Sequence, residues 1–295
     1  MTSSSLKRGV KRSVAESWSG VCYVAGRVGR WTPATWRSPG GQRVLVIAPH
    51  PDDELGCGGA LLLHERAGDQ VHVAYVTDGR GSGAGGLGPD EMAKRRRAEA
   101  DAVRPVLRLA GTHWLGLREY EWDESALVPV LQNVLRQTTP QIVYAPSRVD
   151  FHPEHVRVAR CLAGAIVDPG LHDVTVRVYQ IQVPLTPVLT NLIAPIRAVV
   201  PELVEAMQCY RTQLGSIERL FRMKRYGASL YGLAGLAEEF WQVDRHAYGR
   251  LHAASGGDGA DQAFRGVRYR PFTDPLAYLR GLGARRRLLA LSTSP

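Results

Sequence analysis

The sequence lacks several features that would place a protein in a class at once. Its four cysteines lie far apart and form no Cys-x-x-Cys pair, which argues against a thiolate zinc site and a disulfide framework. Isolated cysteines of this kind are typical of reduced thiols, so we predict a cytoplasmic protein. No apolar run approaches the roughly 18 residues of a membrane-spanning helix. No Gly-x-Gly-x-x-Gly fingerprint of dinucleotide binding follows the first predicted strand.

Most of the chain carries no net positive charge, although the formal net charge of the whole sequence is +9. Residues 1–43 hold eight Lys and Arg residues against one acid, and residues 265–287 hold seven Arg residues against one acid. The segment between these two ends is therefore mildly acidic. Because nucleic-acid binding needs clustered positive charge on the folded domain, the sequence predicts no nucleic-acid partner.

Residues 1–42 are predicted to form a basic, helical extension. Glu16 and neighbouring serines interrupt its apolar character, so the segment does not resemble a secretory signal. Two interpretations remain open. One is a helix packed on the body, or a floppy extension; the other is a helix that contacts a partner or the inner membrane surface through residues 1–31. Both rest on an apolar stripe with helical spacing, which consists of Leu6, Val10, Val14, Trp18, Val21, Ala25 and Val28.

From residue 43 onward, apolar strand patterns alternate with amphipathic helix patterns. This alternation predicts an α/β domain over 43–295, with a Rossmann-like, mostly parallel sheet and helices on both faces. Beyond residue 184 the pattern becomes less regular and predicts mainly helices, with a glycine-rich loop at 254–261. Since the carboxyl ends of parallel strands share one edge, we expect the functional site there. The predicted strands cover 43–49, 70–79, 113–117, 141–146 and 174–183.

Two clusters of polar residues follow the ends of predicted strands. The sequence HPDDE begins at His50, and the sequence HPEH begins at His152. Each cluster contains two candidate ligands that are three residues apart. These are His50 and Asp53 in the first cluster, and His152 and His155 in the second. Because of this spacing, the two members of a pair share one face of a helical turn. Imidazole and carboxylate groups suit Zn²⁺, and three protein ligands plus water make an open catalytic site. The sequence therefore predicts a zinc site, with Fe²⁺ as the alternative metal.

With these motifs the sequence resembles the LmbE-like, or PIG-L, family of zinc-dependent N-deacetylases, which act on N-acetylglucosaminyl conjugates. The family motif (P/A)HPDDE matches residues 49–54, and the family motif HPDH matches HPEH, in which Glu154 replaces the usual aspartate. The resemblance covers roughly residues 43–245. Weaker similarities are TDG at 77–79, RRAEA at 96–100, LVEAMQCYRTQL at 203–214 and AEEF at 237–240.

The resemblance implies a role for each matching motif residue. It implies that His50, Asp53 and His155 are the metal ligands. It also implies that Asp52 is the general base. His152, expected in its protonated form, would stabilise the tetrahedral oxyanion and protonate the leaving amine.

Five further residues are predicted to support the site or to contact substrate. Glu54 is expected to support the metal centre or the start of the following helix, and Glu154 to orient a ligand histidine. Asp78, Arg80 and Asp150 lie close to the motifs in the sequence, and we predict that they bind sugar hydroxyls or an acidic group.

Together these residues predict metal-dependent hydrolysis of the acetamide of an N-acetylglucosamine-type conjugate, which releases acetate and a free amino sugar. The conjugate would be a small molecule, or an amino sugar linked to a lipid or a polymer. One alternative is an amidase acting on a related acyl-amine such as a thiol conjugate. Another is a non-catalytic sugar- or nucleotide-binding module, although the presence of Asp52 beside the ligands argues against it.

Overall fold

A mixed eight-stranded sheet forms the centre of the molecule. The computed structural model describes residues 13, 16–18, 20, 21, 23–25, 27–29, 32–150, 152–253 and 282–293. The strands in chain order are β1 (Ala34–Thr35), β2 (Arg43–Ala48), β3 (Gln70–Thr77), β4 (Gly111–Leu117), β5 (Ile142–Pro146), β6 (Thr175–Tyr179), β7 (Leu192–Pro195) and β8 (Ala237–Asp244).

Helices cover both faces of this sheet. Among the described residues they are α1 (Gly58–Arg66), α2 (Pro89–Val106), α3 (Glu124–Thr138), α4 (Pro153–Ala165), α5 (Thr186–Leu189), α6 (Val200–Cys209), α7 (Leu214–Leu230), α8 (Arg245–Ala253) and α9 (Leu282–Thr293). Short 3₁₀ turns occur at Asp53–Gly56, Ala84–Gly86, Arg197–Val199 and Arg211–Gln213.

The order of the strands places both sequence motifs at the centre of one sheet edge. The order is β1-β7-β8-β6-β5-β2-β3-β4, and β2 lies next to β5 in parallel register. Every neighbouring pair is parallel except those of β8, which runs antiparallel to β6 and β7. The predicted fold class is confirmed.

Strand β2 is apolar from Val44 onward because both of its faces are buried there. Leu45 and Ile47 pack in a core layer that includes residues of α3, α4, α8 and α9. Val44 and Val46 pack in the opposite layer, with residues of α1, α2 and α6. The strand that precedes the first motif is therefore packed between two core layers, which hold the start of the following turn in place.

The C-terminal part contains two strands that the sequence patterns did not predict, β7 and β8. Strand β8 carries Glu238 and Glu239 in adjacent positions, and both side chains are buried. Adjacent acids usually indicate an exposed segment, because a buried charge needs a partner. Here Lys224 pairs with Glu238, and Thr190 donates a hydrogen bond to Glu239. Because these partners lie outside the strand itself, the local sequence of β8 does not indicate that its two acids are buried.

The N-terminal segment is described only in part. Its described positions between 13 and 28 are helical, and Trp18 packs against Tyr226 and Leu230 on α7. The domain boundary after residue 42 stays a prediction, and the glycine-rich segment at 254–261 lies outside the described residues. None of the described helices combines the length and the apolarity that a membrane crossing needs.

Candidate active site

Both sequence motifs lie at the carboxyl ends of neighbouring strands. His50 follows β2 by two residues, while His152 stands at the residue before α4, which follows β5. His155 lies in the first turn of α4 and Asp53 begins a 3₁₀ turn after β2. Because β2 and β5 are adjacent, the two turns face each other across the sheet edge. The structure thus brings the predicted ligands together.

Three ligating atoms form a nearly equilateral triangle. His50 Nδ1 lies 3.0 Å from Asp53 Oδ2, and His155 Nε2 lies 3.2 Å from the same oxygen. The two ring nitrogens are 3.3 Å apart. A tetrahedral Zn²⁺ with bonds of about 2.0–2.1 Å holds its ligand atoms about 3.3 Å from one another. The donor set and its spacing therefore fit a cation of this size, with a fourth position left for water or substrate.

The electrostatics of this triangle favour a negatively charged Asp53 beside positively charged His50 and His155. Burial disfavours charge on His50, but hydrogen bonds with Asp53 and Glu154 outweigh it and raise the pKa of His50 to about 9. Burial opposes charge on His155 too, yet Asp53 and Asp150 raise its pKa well above the usual value. Burial would raise the pKa of Asp53, but the two histidines hold it well below its usual range. The pocket is thus built to hold positive charge beside Asp53.

A carboxylate lies beside the outer nitrogen of each predicted ligand histidine. Glu154 Oε2 lies 2.7 Å from His50 Nε2, and Asp150 Oδ2 lies 3.3 Å from His155 Nδ1. Glu154 is itself fixed, because its Oε1 accepts hydrogen bonds from the backbone N–H of Tyr120 and the indole N–H of Trp122. Carboxylates in this position fix the ring orientation and tautomer of metal-binding histidines.

Asp52 occupies a strained position at the edge of the triangle. Its φ is 102°, a left-handed conformation that non-glycine residues seldom adopt. Arg96 donates to its Oδ1 at 2.8 Å and also to the carbonyl of Pro51. Burial raises the pKa of Asp52, although the charge of Arg96 opposes this effect. The side chain keeps some exposure and lines the cavity above the triangle.

His152 packs against both predicted ligand histidines. Its ring centre lies 4.7 Å from those of His50 and His155, and its Nε2 lies 3.2 Å from the hydroxyl of Tyr120. Burial and the two neighbouring imidazoles lower the pKa of His152 to about 2. The expected protonated form is therefore disfavoured at neutral pH, because burial and like charge outweigh the attraction of Asp53. A neutral His152 still offers one N–H donor.

Comparison with known proteins finds a family model that matches the segment carrying both motifs. Residues 45–166, which contain both motifs, match the model of the PIG-L family, described as GlcNAc-PI de-N-acetylase. This segment, which is less than half of the chain, is similar to the PIG-L family. The resemblance drawn from the two motifs is confirmed over this segment.

Solved structures share the fold of the PIG-L segment and its surroundings. An N,N'-diacetylchitobiose deacetylase from Pyrococcus horikoshii has a TM-score of 0.61 at 22% identity, covering 70% of this chain and 85% of that one. A conserved protein from Thermus thermophilus has a TM-score of 0.57 at 26% identity, covering 68% and 93%. The 4-carboxy-2-hydroxymuconate hydratase GalB from Pseudomonas putida has a TM-score of 0.55 at 21% identity, covering 68% and 95%. The fold alone therefore does not decide the reaction.

Two of the weaker PIG-L similarities supply residues that hold the first motif in place. Arg96, which binds Asp52, belongs to RRAEA, and Tyr210 belongs to LVEAMQCYRTQL. The Tyr210 hydroxyl donates to Glu54 Oε1 at 2.6 Å, while Glu54 Oε2 accepts the N–H of Asp52 at 3.0 Å. Burial raises the pKa of Glu54 to about 8. Glu54 thus supports the turn that carries Asp52.

The three residues predicted to bind substrate do not line the cavity above the triangle. Arg80 Nη2 pairs with Asp78 Oδ2 at 2.8 Å. The Asp150 side chain is fully buried, and its Oδ1 accepts the N–H of His152 at 2.9 Å. Short-range pairing takes up the polar groups of Asp78 and Arg80, which sequence spacing alone could not reveal. The structure therefore offers substrate no direct access to Asp150.

Other residues line the cavity, which has a volume of about 210 Å³. Glu119 is buried there, with Oε1 3.5 Å from His50 Nε2. Among the described residues, two further groups could hold a metal: His50 with Glu119 and Glu154, and His50 with His152 and His155. Tyr120 has a left-handed φ of 66°. Sequence reasoning missed Glu119 and Tyr120, because no motif surrounds them and a positive φ at a tyrosine has no sequence signature. Further lining residues that it missed are Gln182, Gln213, Arg219 and Leu220.

Proposed function

We propose that this protein is a divalent-metal-dependent N-deacetylase. It hydrolyses the acetamide of an N-acetylglucosamine-type conjugate and releases acetate and a free amino sugar. The observation that supports this most strongly is the triangle of His50 Nδ1, Asp53 Oδ2 and His155 Nε2, with sides of 3.0 to 3.3 Å. The PIG-L match supports the choice of acyl group and sugar.

The metal would be held by His50, Asp53 and His155. Imidazole and carboxylate donors favour Zn²⁺, with Fe²⁺ as the alternative. When bound, such a cation supplies a water of lowered pKa and polarises the acetyl carbonyl. Glu154 holds the His50 ring in the orientation that this binding requires, and Asp150 lies 3.3 Å from Nδ1 of the His155 ring.

Asp52 is assigned as the general base. It takes a proton from the attacking water and later delivers it to the nitrogen of the departing amine, so the products are acetate and amine. Arg96 engages Oδ1 of Asp52, which directs the other carboxylate oxygen towards the cavity. The left-handed backbone of Asp52 and the contact from Glu54 keep the carboxylate at the edge of the triangle.

His152 and Tyr120 line the same cavity as Asp52 and are assigned to binding of the oxyanion. As a neutral imidazole, His152 donates one N–H to the oxyanion that develops when water attacks the carbonyl. Tyr120 stacks on His152 with ring centres 6.0 Å apart and shares a hydrogen bond with its Nε2. This contact fixes the orientation of His152 before substrate arrives.

The size of the cavity supports a conjugate as substrate. Its volume of about 210 Å³ is smaller than the roughly 300–1,000 Å³ of pockets that enclose whole drug-sized ligands. We infer that the acetamido end of a conjugate enters the cavity, while part of the conjugate extends out of it. Gln182 and Gln213, which line the cavity, offer hydrogen bonds to sugar hydroxyls.

The proposal is tested by measuring bound metal and the release of amine from N-acetylglucosamine conjugates of varied aglycone. We expect about one Zn²⁺ or Fe²⁺ per chain. We also expect Asp52→Asn to keep the metal and to lose at least 100-fold in kcat, the lower range for a general base. Asp101→Asn, an exposed acid on α2, is the matched control and should keep full activity. Metal binding without amine release from any conjugate would overturn the assigned substrate.

A further inference from the structure

Helix α1 begins without a capping side chain of its own. Its N-cap residue is Cys57, whose side chain makes no capping hydrogen bond. The first backbone N–H groups of a helix lack partners within the helix and need an acceptor. That acceptor is the carboxylate of Glu238 on β8, which accepts the N–H of Gly59 at 2.9 Å and of Ala60 at 2.7 Å. The cap of α1 thus comes from a strand almost 180 residues later in the chain.

Lys224 on α7 completes this connection. Its Nζ donates to the carbonyl oxygens of Leu55 and Gly56, both at 2.9 Å, and to Glu238 Oε1. The three N–H groups of the ammonium thus have three acceptors. Lys224 is 1% exposed and Glu238 2% exposed. The pair is therefore a buried ion pair whose other hydrogen bonds all go to the backbone of residues 55–60.

Glycines also allow neighbouring elements to pack closely against residues 55–60. A Cβ atom on Gly56 would lie 2.8 Å from the ring of Tyr179, and one on Gly59 would lie 2.7 Å from Ile196. Real Cβ atoms do not make contacts this short, so larger residues would push the segment away. The small residues that follow the HPDDE motif are therefore explained by close packing against β6 and the segment after β7.

Asp53 lies in the segment held by this pair. The 3₁₀ turn runs from Asp53 to Gly56, so Lys224 binds the last two carbonyls of the turn that begins with a predicted ligand. Replacing a buried ion pair by apolar residues is often neutral or stabilising, so stability alone is a weak reason for this arrangement. Its hydrogen bonds instead specify the position of a backbone segment.

We infer that Lys224 and Glu238 are positioning residues for the metal centre. They touch neither metal nor substrate. They fix the turn so that Asp53 Oδ2 stays within 3.2 Å of the two ligand nitrogens. This inference rests on the proposed metal site and adds a role for AEEF and α7, which lie outside the matched PIG-L segment.

The test uses the paired variant Lys224→Met/Glu238→Gln, which removes both buried charges together. The control is Arg177→Met, which also removes a buried cation but whose contacts are with Gln242, Tyr144 and His64. Affinities for Zn²⁺ and Co²⁺ are measured by chelator competition on folded protein, with the Co²⁺ absorption spectrum as a report of ligand geometry. We expect 10- to 100-fold weaker metal binding and an altered Co²⁺ spectrum in the paired variant, as for other residues that orient ligands. The control should keep wild-type affinity and spectrum.

The outcomes separate this inference from the proposed function. Wild-type affinity and spectrum in the folded paired variant would overturn the positioning role and leave the metal site intact. Failure of the wild-type protein to bind metal would overturn the proposed function and this inference with it. If the paired variant does not fold, Lys224→Met alone, which leaves Glu238 its two backbone N–H partners, is measured in the same way and judged by the same results.

Discussion

At the scale of single residues, the chemistry depends on contacts that hold a few side chains in unusual positions. Asp52 and Tyr120 both have left-handed backbones, which cost free energy unless surrounding contacts impose them. The contacts are identifiable. Arg96 and Glu54 hold Asp52, while Glu154 accepts the N–H of Tyr120.

Replacing Arg96 by methionine tests whether the position of Asp52 matters. We expect kcat for amide hydrolysis to fall about 10- to 100-fold, because a displaced catalytic group loses rate steeply. Metal content should stay at the wild-type level, since Arg96 contacts no predicted ligand side chain. The neighbouring Arg97→Met, which removes an exposed guanidinium that lies over Trp114, is the control and should keep wild-type kcat. An unchanged kcat in Arg96→Met would contradict the role of this contact.

Tyr120→Phe tests the part of the cavity assigned to binding of the oxyanion. The change removes only the hydroxyl that lies 3.2 Å from His152 Nε2. We expect kcat/KM to fall about 10-fold, corresponding to about 1.4 kcal/mol, the upper range for one neutral hydrogen bond. Steady-state kinetics measure this, and the same loss after Phe replacement of Tyr248, a buried tyrosine on α8, would show that the effect is not specific to the site.

The residue scale also shows what a sequence can predict. The resemblance carried by HPDDE and HPEH predicted His50, Asp53 and His155 as ligands, and the structure brings these three side chains together. The substrate contacts could not be predicted in this way. Asp78 and Arg80 pair with each other, and the exposure of a loop residue depends on tertiary packing that the local sequence does not encode.

At the scale of elements, strand β8 connects the C-terminal part to the site. It was not predicted as a strand, because its adjacent acids Glu238 and Glu239 resemble a solvated segment. The parallel strands β2, β3 and β5 were predicted at nearly their observed positions, since a strand buried on both faces leaves a continuous apolar run. Elements buried through long-range polar pairs leave no such pattern.

Glu239 gives β8 a predicted effect of pH on stability. Burial raises its pKa to about 6 from the usual 4.5, although hydrogen bonds from Thr190, Gln180 and Tyr231 oppose the rise. The folded state therefore holds the proton more tightly than the unfolded state. This contribution is fully present below about pH 4.5 and is lost as the pH rises through about 6, at a cost of about 2 kcal/mol.

Glu239→Gln should remove this loss. Relative to wild type, the free energy of unfolding of the variant should increase by about 1–2 kcal/mol between pH 4.5 and pH 8. Urea unfolding at the two pH values measures the difference. A difference between variant and wild type that does not change with pH would contradict the raised pKa of Glu239.

At the scale of the whole molecule, charge is divided between a mildly acidic body and basic ends. The N-terminal helix packs Trp18 on α7, while Val21, Val24 and Val28 remain exposed on its surface. Their spacing places them near one another on the helix. Binding of this surface to a membrane, which was predicted from the sequence, stays a prediction.

The membrane interpretation is tested by sedimentation with phosphatidylserine vesicles. If it holds, replacing Val21, Val24 and Val28 by serine should weaken vesicle binding at least 10-fold, because each valine contributes buried apolar area. Catalysis on a small soluble conjugate should not change. Equal binding of the triple variant and wild type would assign the helix to packing alone.

X-ray absorption at the zinc edge tests the proposed metal centre most directly. Zinc-loaded protein is predicted to show two imidazole nitrogens at about 2.0–2.1 Å and carboxylate or water oxygens at about 2.0–2.2 Å. The His155→Ala variant should lose one imidazole from this shell, whereas His172→Ala, outside the site, should not. A zinc shell that does not change in His155→Ala, or no stoichiometric zinc in the folded wild-type protein, would contradict the account.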